Sequence, residues 1–225
     1  MNEKSLFLED NKTSQQKETL FNGIYGSYTI TNADIIEVKK YRISVLICAM
    51  SMTLGIIHWI TIGNHLAWIW LIAMCISLGL ALNWIHIYLL NLHNALKFCW
   101  GLGCISIIIM SFNLGIDNIL TNLAVKPYLT LAIGPLFVSL TGLGFKEFFC
   151  FKRAEAFGLT ILLPIALLGH LSQLMNNYLV ILFLSISSLL LLLLAIRKFG
   201  MDPASDIGDK SVFEYLENQR KEESA

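Results

Sequence analysis

Three features of the sequence predict an all-α polytopic membrane protein, a bundle of six transmembrane helices with cytoplasmic N- and C-termini. Composition is the first: 56% of the residues are hydrophobic and 14% are charged, against about 25% charged in an ordinary soluble domain. The second is a series of six apolar segments between Ile43 and Ile196, each near the roughly 20 residues that cross a ~30 Å hydrocarbon core. The third is the placement of charge. Fifteen of the sixteen Lys and Arg residues fall before the first segment, in every second connection, or after the last, and Lys126 alone falls on the other side. Short Lys- and Arg-rich loops resist translocation during insertion, so this alternation fixes both the number of spans and their direction.

Residues 1–24 form a polar stretch around Asn11–Lys17 that buries too little apolar surface to order itself, and they are expected to be a disordered cytoplasmic tail. Residues 25–42 lead into the first span. Tyr25–Thr31 alternates large and small side chains as an extended surface segment would, and Thr31, Asn32 and Asp34 offer capping groups before Ile35 and Ile36, where a helix is expected to start. The transmembrane domain covers 43–197, with spans at Ile43–Ile62, Leu66–Leu90, Phe98–Ile116, Pro127–Phe145, Phe157–Met175 and Tyr178–Ile196. The connections Gly63–His65 and Asn176–Asn177 are little more than turns, so spans one and two, and five and six, should be antiparallel neighbours. Residues 198–225 form a polar cytoplasmic tail. Asp202-Pro203 ends the last helix, and Val212, Phe213 and Leu216 would share one face of a short helix.

Tryptophans and a tyrosine fall where interfacial anchors belong: Trp59, Trp68 and Trp70 near the first outer turn, and Trp84, Tyr88 and Trp100 near the cytoplasmic boundary. Gly101, Gly103, Gly134, Gly142, Gly144 and Ser185, Ser187 and Ser188 supply small residues for helix contacts. Pro135 and Pro164 should bend the fourth and fifth spans. Four of the five cysteines, Cys48, Cys75, Cys99 and Cys104, sit within or at the rim of apolar segments, which argues against a disulfide framework. A formal net charge of zero with basic residues spent at the membrane boundary gives no footprint for nucleic acid.

No catalytic motif is present, and no metal-ligand spacing. The reading is therefore non-enzymatic, with lipid and other membrane proteins as partners and no required cofactor. Three groupings of side chains qualify as candidate sites. Lys146, Glu147, Phe148, Phe149, Phe151 and Arg153 lie in a dense aromatic and charged stretch between spans four and five, expected to be a cytoplasmic partner-binding loop. His58 and His170 fall about 20 Å from the cytoplasmic boundary on two outward-running helices at ~1.5 Å per residue, as axial ligation of haem or chlorophyll would need. Asn83, His86 and His93 form a polar seam on the helix leaving span two; with Asn91 and with Glu147 at its mouth it would line a small transporter or channel. An intramembrane enzyme would have to draw on Glu147, Glu155 and His170, which are expected at opposite depths.

The segments Tyr28–Thr31 with Asp34, Tyr41-Arg42, Gly144–Phe151 and Leu162–Leu171 resemble a family of uncharacterised integral membrane proteins of cyanobacteria and plastids. The Lys146–Phe151 run is the most specific part. The resemblance implies a plasma or thylakoid membrane address and makes support of a photosynthetic complex the expected role, without implying a mechanism.

Overall fold

The computed structural model describes residues 19–87 and 90–223. The polar stretch at Asn11–Lys17 and Tyr88 lie outside them. The chain divides into two compact units, one of Met1–Lys39 with Asp202–Ala225 and one of Lys40–Met201.

The larger unit is helical throughout. Helix α1 (Asn32–Thr61) enters it at Lys40 and is followed by α2 (Trp68–Trp84), α3 (Leu90–Leu114), a short α4 (Ile119–Val125), α5 (Thr130–Phe151), α6 (Ala154–Leu171) and α7 (Asn177–Lys198). Five of the described helices, α1, α3, α5 (counted from Pro127), α6 and α7, are long and apolar enough to cross a membrane, and α2 is a shorter apolar helix. Their outward faces carry large apolar side chains such as Ile108, Phe112, Leu131 and Leu189, each more than half exposed. Helices apolar on every face are at rest in hydrocarbon rather than water. Successive helices reverse direction. Lys40 Nζ lies 5.4 Å from the Trp84 ring, bringing the start of α1 to the end of α2, and Trp68 Nε1 donates to Asp117 Oδ1 at 2.9 Å, bringing the start of α2 to the end of α3.

Lipid tails are as apolar as leucine, so the helices are held by close packing and interhelical hydrogen bonds more than by exclusion of water. Leu78, Leu136, Leu140, Leu143, Leu159, Leu163, Leu191 and Leu194 fill the centre. At Gly103 a Cβ would stand 2.7 Å from Leu136 N, so α3 and α5 touch there nearly backbone to backbone. Nearby, Ser139 Oγ donates to Leu96 O at 2.6 Å. Trp100 Nε1 donates to Cys75 O at 2.8 Å, so this indole fastens α3 to α2. Thr53 Oγ1 donates to Ser188 O at 3.3 Å and joins α1 to α7.

The structure redraws several expected boundaries. The start of α1, at Asn32, is not among them and falls where the capping groups were expected to begin a helix leading into the first span: Thr31 N–H donates to Asp34 Oδ2 at 2.8 Å and Asp34 N–H to Thr31 Oγ1 at 3.3 Å. Helix α2 stops at Trp84, and Ile85 is extended. The connection between α3 and α5 folds into a helical insertion, α4 with flanking 3-10 turns at Ile116–Asn118 and Pro127–Leu129.

In the smaller unit, β1 (Thr19–Asn22) and β2 (Ser27–Ile30) form an antiparallel hairpin in which Phe21 faces Tyr28. Strand β1 falls inside the stretch expected to be a disordered tail; Phe21 and Tyr28 stack at 5.6 Å and give it the apolar contact that composition concealed. The C-terminal segment folds into α8 (Pro203–Ile207) and α9 (Lys210–Glu223). Ile30, Val38 and Ile207 make a small core. Lys210 Nζ pairs with Asp34 Oδ2 at 2.9 Å, Ile24 N–H donates to Asp209 Oδ2 at 2.7 Å, and Tyr25 stacks on Tyr215 at 4.0 Å.

Candidate functional site

The stretch expected to be a loop between spans four and five is mostly helix. Helix α5 runs through Lys146, Glu147, Phe148 and Phe149 to Phe151, and only Lys152 and Arg153 connect it to α6. Lys152, in the left-handed conformation at φ 50°, stops the helix. The six candidate residues consequently separate by face. Glu147 is wholly buried and Lys146 nearly so, pointing into the bundle rather than outward. Phe148 packs on Phe157 at 5.0 Å. Phe149 is 75% exposed and stacks on Phe145 at 6.1 Å, on the outer side of the helix. Arg153 is drawn to Glu155.

Burial of Glu147 is possible because its oxygens are saturated. Lys198 Nζ donates to Oε2 at 2.6 Å, Tyr41 Oη donates to Oε1 at 2.6 Å, and Lys146 Nζ lies 3.3 Å from Oε1. Both ammonium groups also lie over the rings of Tyr41 and Phe151 at 5.0–5.5 Å, an attraction that strengthens when the cation is desolvated. This cluster ties α1, α5 and α7 together. Beside it Glu155 of α6 takes Arg153 at 3.3 Å and Arg197 at 3.2 Å, and Arg42 Nη1 donates to Met201 O at 2.9 Å. One end of the bundle is therefore both basic and internally paired.

Only three acidic residues occur between positions 40 and 201, namely Asp117, Glu147 and Glu155. Two of them organise this end. Sequence reasoning placed Glu147 beside Lys146 in one charged stretch and missed Lys198 and Tyr41, which lie 51 and 106 positions away. The scarcity of acids beside a surplus of cations was the signal that could have found them.

The polar seam does not form along one helix. Because α2 ends at Trp84, His86 lies in an extended connector and His93 in the next helix, α3. His93 Nε2 donates to Leu82 O at 2.7 Å, closing the α2–α3 turn. Asn83 and Asn91 are exposed.

His58 and His170 both lie toward the opposite end, where they take different roles. His58 uses both ring nitrogens: Nε2 donates to His65 O at 2.8 Å, and Nδ1 accepts from Trp70 Nε1 at 3.2 Å. His170 Nε2 donates to Leu123 O at 2.9 Å, anchoring α4 to α6. His170 also lines an apolar cavity of about 310 Å³, together with Ser51, Trp59, Trp70, Thr130 and Ile181; His58 is not in its wall. Among the described residues no three His, Cys, Asp or Glu side chains are grouped as a metal set would be.

Apolar outer faces, close helix contacts and internally neutralised charge define an integral membrane protein with several spanning helices. Residues 80–215 match the family described as "Uncharacterized integral membrane protein (DUF2301)", and the chain belongs to that family. It is also similar to an "Uncharacterized protein" of Haemophilus influenzae, with 30% identity over 182 residues covering 80% of this chain and 92% of the relative. That bacterium is neither a cyanobacterium nor a plastid-bearing organism, so membership does not carry the photosynthetic setting that the resemblance implied. No solved structure matches the chain.

Proposed function

We propose that the protein acts by association rather than catalysis, as an assembly or stability factor for a larger membrane complex, and that it crosses the membrane six times with both termini in the cytoplasm. Support for the sixth crossing comes from α2, whose 17 residues extend about 25 Å at ~1.5 Å per residue, close to what a thin hydrocarbon core requires. Support for the orientation comes from Lys40, Arg42, Lys146, Arg153, Arg197 and Lys198, all engaged at one end of the bundle, while Lys126 follows α4 at the other.

The association reading rests on the division of labour within α5. Its charged groups are spent holding the bundle together, and its exposed aromatic pair, Phe145 and Phe149, is left on a helix that the Glu147 cluster fixes. A rigidly mounted aromatic face suits contact with another membrane protein, since little side-chain order is lost on binding. The tagged protein isolated in mild detergent should bring partners with it, and Phe149→Ala should reduce their recovery several-fold without lowering the amount of tagged protein. Equal recovery from both forms, or no partner across several detergents, would defeat the reading. A photosynthetic complex is the first client to test in a host that has one.

A further inference from the structure

The cavity at His170 has a second chamber against it. The apolar chamber, about 310 Å³, is partly open and lined by α1, α2, α4, α5, α6 and α7, and a more open chamber of about 500 Å³ lined by Val125, Pro127, Gln173 and Met175 shares Ala124, His170 and Asn177 with it. Along α1 the apolar lining runs from Ser51 to Trp59, about 12 Å of helix. Its walls are almost wholly hydrocarbon and indole, and its volume falls at the lower end of the roughly 300–1,000 Å³ of small-molecule sites.

Polar side chains are few in these walls. Ser51 and Thr130 are 3% and 5% exposed, and both line the apolar chamber. His170 lines it as well. A carbonyl can only accept, so the bond to Leu123 O fixes the proton of the neutral ring on Nε2 and leaves Nδ1 as a bare acceptor. His170 also stands at the junction of the two chambers.

We propose that this pair of chambers is a binding site for a single-tailed amphiphile whose headgroup carries a hydroxyl. The hydrocarbon tail occupies the apolar chamber between α1 and α7, and the head lies in the outer chamber, with its hydroxyl donating to His170 Nδ1. The proposal is independent of the association reading. It requires a donor on the ligand, which separates an alcohol from an ether of the same length.

Two of the five tryptophans, Trp59 and Trp70, line the apolar chamber and serve as reporters. The full-length protein in lipid nanodiscs would be titrated with 11-bromoundecan-1-ol and with its methyl ether, whose bromine quenches nearby indole. The expected result is saturable quenching, absent from a Trp59→Phe/Trp70→Phe variant and reduced by Ile181→Phe, with the alcohol binding about fivefold more tightly than the ether, the worth of one hydrogen bond. His170→Phe should erase that preference, and His170→Gln, which can still donate to Leu123 O and accept at its amide oxygen, should restore part of it. Thermal unfolding of each variant without probe shows whether it is folded. Quenching that never saturates, or that saturates without preference for the alcohol in the wild-type protein, overturns the proposal.

Discussion

Lys198 Nζ lies 2.6 Å from Glu147 Oε2 with both side chains wholly excluded from the surface. A buried pair of this kind gains little over a well-packed apolar pair, yet losing one partner strands the other charge. Glu147→Gln and Lys198→Met should each destabilise the protein by about 3–5 kcal/mol, read as earlier thermal unfolding in detergent. The triple variant Lys146→Met/Glu147→Leu/Lys198→Met should recover most of the loss. If the triple variant is as unstable as the singles, the charges do more than neutralise one another.

Tyr41 supplies the third bond to that carboxylate, at 2.6 Å to Oε1. Tyr41→Phe keeps the ring under the two ammonium groups and removes only the hydroxyl. It should cost about 1.5–3 kcal/mol, the worth of a hydrogen bond to a charged group, and less than Tyr41→Leu, which removes the cation–ring contacts as well. Equal losses from the two substitutions would remove the rings from the account.

Gly103 and Gly101 lie two positions apart and should respond oppositely to alanine. A Cβ at Gly103 meets Leu136 at 2.6–2.9 Å, whereas one at Gly101 has nothing within 4 Å. Gly103→Ala should destabilise by about 1–3 kcal/mol through overpacking of α3 on α5. Gly101→Ala should be neutral or stabilising by up to about 1 kcal/mol, since alanine is the better helix former. Chemical or thermal unfolding of the two variants checks the sign.

Acid should release the hairpin turn from the C-terminal segment. Hydrogen bonds from the Ser211 hydroxyl and the Ile24 N–H hold the Asp209 carboxyl below its usual range. A group whose carboxyl is depressed in the folded state stabilises that state above its unfolded pKa of about 3.9, and the contribution is lost as pH falls through the lower folded value. Amide exchange at Ile24 should therefore speed up below about pH 4, beyond its intrinsic acid dependence. In Asp209→Asn the acid-induced component should vanish.

How much of this was legible in the sequence follows the range of the interactions. The apolar runs and the alternation of basic connections depend on neighbouring residues, and the long helices appear where those runs do. Ends of helices depend on finer detail. α1 starts at Asn32 because Thr31 and Asp34 cap it, a signal present in the sequence, whereas α5 continues to Phe151 because Glu147 finds Lys198 and Tyr41 far along the chain. Hydropathy alone places charged residues in a loop, since an unpaired charge is costly in hydrocarbon; partners 51 and 106 positions away cancel that cost. The same limit hid the separation of the candidate surface residues into buried Lys146 and Glu147 and exposed Phe149. Counting residues gave His58 and His170 an expected shared depth, but what each imidazole bonds is decided by Trp70 and Leu123, 12 and 47 positions away.

The orientation proposed for the bundle is tested most directly by paired reporter fusions after Asn64, Lys126 and Ala225. With six crossings and cytoplasmic termini, alkaline phosphatase is active after Asn64 and Lys126 and inactive after Ala225, where green fluorescent protein fluoresces instead. Phosphatase activity at Ala225, or its absence at either of the other positions, would contradict it.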